Sequence, residues 1–393
     1  MMKQWLIIGG GIQGVTLASY LRIKKQLPAE AIAIVDPHEK PLAMWKHCTN
    51  NTGMEYLRSP SIHHLHPDAF NLERFAKKKS WKKSTAFVPP YDRPTLALFN
   101  KHSDELVQDL SLLESWVTGK VSQLSKRSDG WEVKLSNGDC LSSRHVVVAI
   151  GLSEHPIWPN WAEKLKDKGA SINHIFHKQS LTIEKDSNVF VVGGGISAVQ
   201  TALKVSSQTN YPVHIMSRHP FRTKQFDSDP GWLGPKYMRL FMQETSTQKR
   251  RDMIASARHR GSLPGELHAA FRRSETAGNV QSVISDVASA DFDGARIHLT
   301  LKNGQTWSGD KVVLATGFHA TPPGLEWLKP TIREHHLRCH TCGYPIVEDD
   351  TLEWDEGLFV MGALAELSLG PVARNISGAR RGAERILSTI IAT

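Results

Sequence analysis

Trp5-Leu-Ile-Ile-Gly9-Gly-Gly11-Ile-Gln-Gly14 is the stretch that decides how this chain is read. The apolar run Trp5 to Ile8 suits a buried parallel strand. The glycines then follow at the spacing G-x-G-x-x-G. Gly9 permits a tight turn, Gly11 lets backbone N–H groups approach a pyrophosphate, and Gly14 lets helix and strand pack closely. Val15, Leu17, Ala18 and Leu21 suit a helix laid on a sheet. Ala31 to Val35 reads as a second strand ending in Asp36, 22 positions after Gly14. An acid there is placed to hydrogen-bond a ribose hydroxyl pair. Strand, glycine turn, helix, strand and acid together predict a dinucleotide site with its phosphates on a helix N-terminus.

The plan recurs. Asn188 to Val192 is a strand, Gly193, Gly195 and Ala198 stand at the motif positions, and a helix runs through Val199, Ala202 and Leu203. Val213 to Met216 is the next strand. No acid ends it; Ser217-Arg218 stands there, with Arg222 and Lys224 close behind. A guanidinium suits a 2′-phosphate that a carboxylate would repel, so the second unit is assigned NADPH rather than NADH. Downstream of each unit comes a matching set. Lys120–Leu124, Trp131–Leu135 and Cys140–Leu141 read as short strands with an Asn137-Gly138 turn, leading into His145 to Gly151. Val280–Val287 and Ala295–Leu301 read as strands with an Asn303-Gly304 turn, leading into Lys311 to Gly317.

Elsewhere the signals are weaker. Residues 40–93 hold weak helical signals, Ser103 to Thr118 reads as an amphipathic helix, and 219–273 reads as irregular with a basic helix near Lys249–Arg251. After Gly317 the chain reads as irregular and Pro-rich. A final strand, Gly357 to Met361, and a last helix, about Val372 to Ile391, close the chain. The fold class expected is α/β, with two Rossmann-like dinucleotide-binding domains, one inserted into the other. The expected boundaries are 1–158 for the first segment of the first unit, 186–318 for the inserted NAD(P)H unit, and 319–393 for the C-terminal return to the first unit.

The chain has 393 residues, too many for one ordinary core. Its 48 Lys and Arg against 39 Asp and Glu leave a net charge of +9, which suits anionic partners. The composition excludes a disordered or collagen-like chain. The glycines of the first loop break the N-terminal apolar run, so it does not read as a signal peptide. No apolar stretch reaches the length of a membrane span. Four cysteines make no disulfide framework and fit a reducing cytoplasm.

These motifs resemble the two-dinucleotide-binding-domain flavoproteins, over nearly the whole chain. The resemblance rests on the two glycine loops with Asp36 and Arg218, and on the returns Ala149-Ile-Gly151 and Leu314-Ala-Thr-Gly317-Phe318. Gly357-Leu-Phe-Val-Met-Gly362 resembles the family's last FAD-contacting strand, and Gly370-Pro371 the start of its flavin-facing helix. Ala363 departs from the family, where Asp is common and contacts the ribityl chain. The disulfide reductases of this family need a cysteine pair on the flavin. Cys48 has no neighbour in sequence, and 186–318 contains no cysteine.

Within the family the chain resembles class B flavin monooxygenases, and among them the lysine and ornithine N-hydroxylases. Trp45-Lys-His47 followed by Met54-Glu-Tyr-Leu-Arg58-Ser-Pro60 is similar to their flavin-side segment, and Asp227-Ser-Asp229-Pro230 to the stretch after their NADPH site. The flavin-containing monooxygenase fingerprint is broken, because Ser171 and Asn173 precede His177 where Phe and Gly belong. The resemblance implies FAD and NADPH as cofactors, a C4a-hydroperoxyflavin, and O2 with a small amine or amino-acid-like substrate as partners. It implies Arg58 as a binder of substrate carboxylate, and Asn375, with the helix from Pro371, at the flavin O2 edge. Two alternatives remain: an NAD(P)H oxidoreductase with a non-thiol acceptor, and a non-catalytic or RNA-associated FAD-binding protein.

Three other clusters read as surface or packing features. His335-His-Leu-Arg-Cys339-His-Thr-Cys342 lacks the second pair that a zinc site wants. His63, His64 and His66 read as a loop near the flavin. Lys77 to Lys83 around Trp81 reads as a solvated face, with no RNA-binding module beside it and no nucleic acid expected as a partner.

Overall fold

Lys3–Ile8 lies at the centre of an eight-stranded sheet because Trp5 to Ile8 are apolar and buried on both faces. The computed structural model describes residues 2–152 and 154–390. Ile32–Asp36 runs parallel on one side, with Trp5 opposite Ile32 and Ile8 opposite Val35. Cys140–Val148 runs parallel on the other, with Ile8 opposite Val148. Leu358–Val360 and Glu353–Asp355 extend the sheet beyond Cys140–Val148. Trp116–Thr118 extends it beyond Ile32–Asp36. The chain therefore leaves the central strand in one direction and returns on its other side. That reversal opens a crevice at the carboxyl end, where the first glycine loop stands.

The second sheet repeats the order with five parallel strands: Val280–Ile284, Val213–Ser217, Val189–Val192, Lys311–Leu314 and Ile172–His174. The antiparallel meander also recurs, with one difference. In the first unit Cys140–Val148 is one continuous strand, so the expected break after Leu141 is absent. In the second, Thr306–Gly309 and Lys311–Leu314 are separate strands. Gly309 lies so close to Phe190 that a Cβ would sit 2.3 Å from the ring. The Asp310 carboxylate turns away to accept from the Asn188 N–H at 2.7 Å. Val280–Val287 likewise splits, into Val280–Ile284 and Val287–Phe292.

Several readings shift. The helix expected at Ser103–Thr118 is Leu96–Asp109, because Thr95 caps its start through the Leu98 N–H. Trp116–Thr118 is instead an edge strand. Leu325–Glu334 is helical although Pro330 lies inside it. Region 219–273 holds three helices, Pro235–Gln243, Thr247–Ala257 and Gly265–Thr276. The first two do not join the core of the second sheet. Trp232, Met238, Phe241 and Ile254 pack with Tyr344, Leu367 and Val372 from the C-terminal return. The last helix begins at Ile376 rather than near Val372, after a tight 3-10 turn at Gly370–Arg374, and ends at Leu387. Ile391 lies outside the described residues. No described helix is long and apolar enough to cross a membrane.

The C-terminal helix packs on Ile12–Lys24 and clamps four other segments with three arginines. Arg380 donates to His64 O, His66 O and Pro67 O. Arg381 donates to Trp232 O and Leu233 O, and Arg385 to Asp349 O and Ser368 O. The clamped histidine loop packs against His102, whose ring meets His64 edge to face at 5.0 Å. Burial, then neighbouring cations and imidazoles, pull His63, His66 and His102 down to about 4 and His64 to about 2. These imidazoles are neutral in the native state until the pH falls far below their ordinary 6.5. Between those values the unfolded chain binds protons that the folded chain refuses. Stability is therefore present above pH 6.5 and expected to fall as the pH drops towards 4. Fully buried His64 and His102 should each contribute up to about 1.4 kcal/mol per pH unit. Urea unfolding at pH 7, 6 and 5 measures this, and His64→Asn should flatten the dependence.

Candidate functional site

The first glycine loop and the start of the helix that follows the second face one cavity of about 910 Å³. On the first side it is lined by Gly9, Gly10, Gly11, Gln13, Asp36, Trp45, Gly151, Gly362 and Ala363. Gly14 sits behind this wall, where a Cβ would lie 1.8 Å from Gly9 O, so strand and helix touch only because residue 14 has no side chain. Gly11 is the opposite case. It is the N-cap of Ile12–Lys24, and nothing lies within 4 Å of where its Cβ would be. No side chain caps that helix and its first turn carries no acid. Its free N–H groups and positive end therefore face open space, which suits a bound anion.

Asp36 closes one end of the cavity. Its carboxylate accepts from the Gly10 N–H at 2.7 Å and from the His38 N–H at 2.9 Å. His38 Nδ1 also lies 2.8 Å from Oδ1, so these contacts fix the carboxylate's direction and leave Oδ2 a lone pair for a sugar hydroxyl. Trp116, not anticipated, covers Gly10 and donates to His38 O at 3.1 Å. Trp45 lines the wall with its indole N–H held by Asn100 Oδ1 at 3.0 Å.

The second unit brings Ile196, Ser197 and Gln200 to the same cavity. They begin the helix Ile196–Ser206, again uncapped by any side chain and free of acid in its first turn. Gly193 lies against Ala315 O and Ala198, and Gly195 has open space around it. These glycines, Ser217 and Gly317 shape the loops behind the wall rather than the wall itself. Ser217 is buried and donates to His219 O, while Arg218, Arg222 and Lys224 are exposed just past the strand end.

Sequence patterns alone missed the aromatic lining. Trp158, Phe176, Phe318 and Trp327 face the cavity, with Phe176 and Phe318 stacked at 4.5 Å. Also missed was Asn51, a buried hub between helix Ala43–Thr52 and the linker. It donates to Ile175 O and Gln179 O and accepts from the Leu181 N–H. A lone Asn in a weak helix carries no sequence signal. Of the four cysteines only Cys48 lines the cavity, and burial pushes its thiol up to about 12, so it stays protonated.

Three expected placements differ. Arg58 does not line the cavity. Its guanidinium donates to Gln225 O at 2.9 Å, Lys224 O at 2.8 Å and Ser262 Oγ at 2.9 Å, committing three of its five donors. It ties the first unit to the loop after Arg222, and no fork is open for a substrate carboxylate. Arg58→Ala is accordingly expected to lower stability by about 1.5–3 kcal/mol, read by urea unfolding. A substrate-binding arginine would instead raise KM with stability nearly unchanged. Asn375 also lies off the main cavity. Its Nδ2 donates to Asp227 Oδ1 at 3.3 Å, and it lines a separate hollow of about 150 Å³ with Asp229, Tyr91 and His63. Pro371 is buried in the 3-10 turn. That turn delays the helix by five residues and brings Arg374, not Asn375, to the main cavity.

Arg374 belongs to a buried ion cluster. Glu366, wholly enclosed, pairs with Arg251, with Arg258 at 2.9 Å and with Arg374 at 2.8 Å. Burial pulls Arg258 down to about 9, so it remains cationic at neutral pH. Arg374 Nη2 also donates to Tyr344 Oη, which donates to Ala320 O.

The clusters flagged as surface features have settled surroundings. Trp81 packs on Leu72, Phe75 and Phe87, and Lys79 and Lys83 pair with Glu105 and Asp92. His340 Nδ1 lies 2.8 Å from Cys342 Sγ in a tight hairpin turn. Among the described residues no group of three or more His, Cys, Asp or Glu has the geometry to hold a metal.

Two βαβ units presenting uncapped helix ends to one cavity define a nucleotide-dependent oxidoreductase of the two-Rossmann-unit class. Residues 6–261 match the family model described as pyridine nucleotide-disulphide oxidoreductase, and the chain belongs to that family. No curated protein sequence matches it. Among solved structures it is similar to the ornithine hydroxylase of Pseudomonas aeruginosa, at 17% identity and a TM-score of 0.77, covering 99% of this chain and 98% of that one. It is also similar to the FAD-bound cadaverine monooxygenase of Erwinia amylovora, at 14% identity, TM-score 0.76, and 100% and 95% coverage. A third likeness is the ornithine N-hydroxylase of Kutzneria sp. 744, solved with reduced FAD, NADP+ and L-ornithine, at 16% identity, TM-score 0.74, and 99% coverage of each chain.

Proposed function

We propose that this chain is an FAD- and NADPH-dependent monooxygenase that hydroxylates the nitrogen of a small amine or amino-acid-like substrate. One observation carries the reading: two uncapped, acid-free helix ends meet at a single aromatic-lined cavity that holds one protonated thiol and no cysteine pair. That arrangement suits two dinucleotides and does not suit a thiol relay. The likeness to the three amine hydroxylases supports it.

In this reading residues 1–158 and 319–393 form the FAD unit and 186–318 the NAD(P)H unit. The N–H groups of Gly11 and the first helical turn hold the FAD pyrophosphate, and Asp36 holds its ribose. The helix end at Ile196 and Ser197 faces the NADPH pyrophosphate, and Arg218, with Arg222 and Lys224, offers cations to the 2′-phosphate. Trp45, Trp158, Phe176 and Phe318 exclude water. Once bound, FAD supplies the hydride and oxygen chemistry.

The test is to load the purified chain with FAD and screen small amines, diamines and basic amino acids for NADPH oxidation coupled to hydroxylamine formation. A flavin-loaded protein that makes hydroxylamine with one of them is expected. A chain that takes up no FAD, or oxidises NADPH without hydroxylating any amine, overturns the proposal.

A further inference from the structure

We infer that Arg374 is the residue that sets the redox balance of the bound flavin, by placing a fixed positive charge at the wall formed by Gln13, Gly362 and Ala363. The inference rests on the proposed binding of FAD. A dinucleotide with its ribose at Asp36 and its pyrophosphate at Gly11 extends its other half away from Asp36, towards that wall. Gly362 and Ala363 carry no charge, and Gln13 is spent on the backbone, donating to Ala373 O and Asn375 O. Arg374 is the charged side chain there.

Its position is built rather than incidental. Nε and Nη2 bond Glu366, and Nη2 bonds Tyr344 Oη at 2.9 Å. Nη1 has no hydrogen-bond partner among the described residues. Glu366 is itself gripped by Arg251 and Arg258, so the acid cannot follow Arg374 if it moves. Asp227 lies beside Arg258. Three guanidinium groups share the one Glu366 carboxylate, so its charge does not cancel all of theirs, and Arg374 is the one of the three that lines the cavity. Reduction by two electrons and one proton leaves the flavin ring system with a negative charge. A cation held in a half-buried site favours that state over the neutral oxidised one.

The experiment compares wild type, Arg374→Met, Arg374→Lys and Tyr344→Phe, each loaded with FAD. The midpoint potential is measured by dye-coupled reduction, and the affinity for oxidised FAD by fluorescence titration. Arg374→Met is expected to weaken reduced against oxidised FAD about tenfold, a fall of about 30 mV for a two-electron couple. Arg374→Lys should keep most of the wild-type potential. Tyr344→Phe, which loosens Arg374 without uncovering Glu366, should shift it the same way by about two- to threefold. An unchanged potential in Arg374→Met, or equal weakening of both oxidation states, overturns the inference and leaves Arg374 a structural partner of Glu366. If Arg374→Met does not fold, the potential of Tyr344→Phe decides. A wild-type chain that binds no FAD defeats the proposed function itself, a result distinct from these.

Discussion

Gly11→Asp is expected to stabilise the cofactor-free protein and at the same time abolish its uptake of FAD. Gly11 has φ −82° and ψ −162°, an extended conformation open to any residue, and its Cβ would meet nothing within 4 Å. Aspartate is among the best N-caps, and its charge complements the helix dipole. The gain should be about 0.5–1 kcal/mol, read as a higher Tm of the apoprotein. The same carboxylate would occupy the place proposed for the FAD pyrophosphate and repel it. FAD affinity should fall at least about hundredfold, since like charges brought together cost several kcal/mol. Gly14→Ala should do the reverse of the first effect. Its Cβ would lie 1.8 Å from Gly9 O, so the backbone must move. A loss of about 3 kcal/mol is expected, at the upper end for overpacking. Wild-type FAD affinity in Gly11→Asp would remove the first glycine loop from the cofactor site.

Glu366→Ala should have the largest effect on stability of any single charge removal. The carboxylate is fully enclosed, and Arg251, Arg258 and Arg374 all depend on it. Removing it leaves three half-buried guanidinium groups facing one another. Breaking a buried pair from one side costs about 3–5 kcal/mol because a charge is left uncompensated. Arg251→Met should be milder, since the carboxylate keeps two partners. Urea unfolding at pH 7 measures both, and a change under about 1 kcal/mol in Glu366→Ala would show that water replaces the acid. The cluster joins helix Thr247–Ala257 to the C-terminal return, so protease sensitivity near Arg258 should rise in the same variant.

Much of the frame was legible from the chain alone. Apolar strands, glycines at G-x-G-x-x-G spacing and Asp36 are local signals, because turn, strand and helix start are each set by residues a few positions apart. The repeat at Gly193 was legible for the same reason. The aromatic wall was not. Trp158, Phe176, Phe318 and Trp327 come from three separate segments, and no spacing announces that they share a cavity. Arg58 and Asn375 were identified as site residues by likeness of short stretches. Which carbonyl groups a guanidinium meets depends on a loop 166 positions away, and only the folded chain brings Lys224 to Arg58. The last helix makes the point within a few residues. Gly370-Pro371 marks a helix start, but the chain makes a 3-10 turn first. That turn moves the helix start to Ile376 and swings Arg374 into the cavity, while the Asn375 side chain turns towards Asp227. By itself the sequence determined two dinucleotide-type units and the charge that suits their phosphates. Only the tertiary structure decided which charge faces the cavity, because Arg374 is aimed by Glu366 and Tyr344 rather than by its neighbours in sequence.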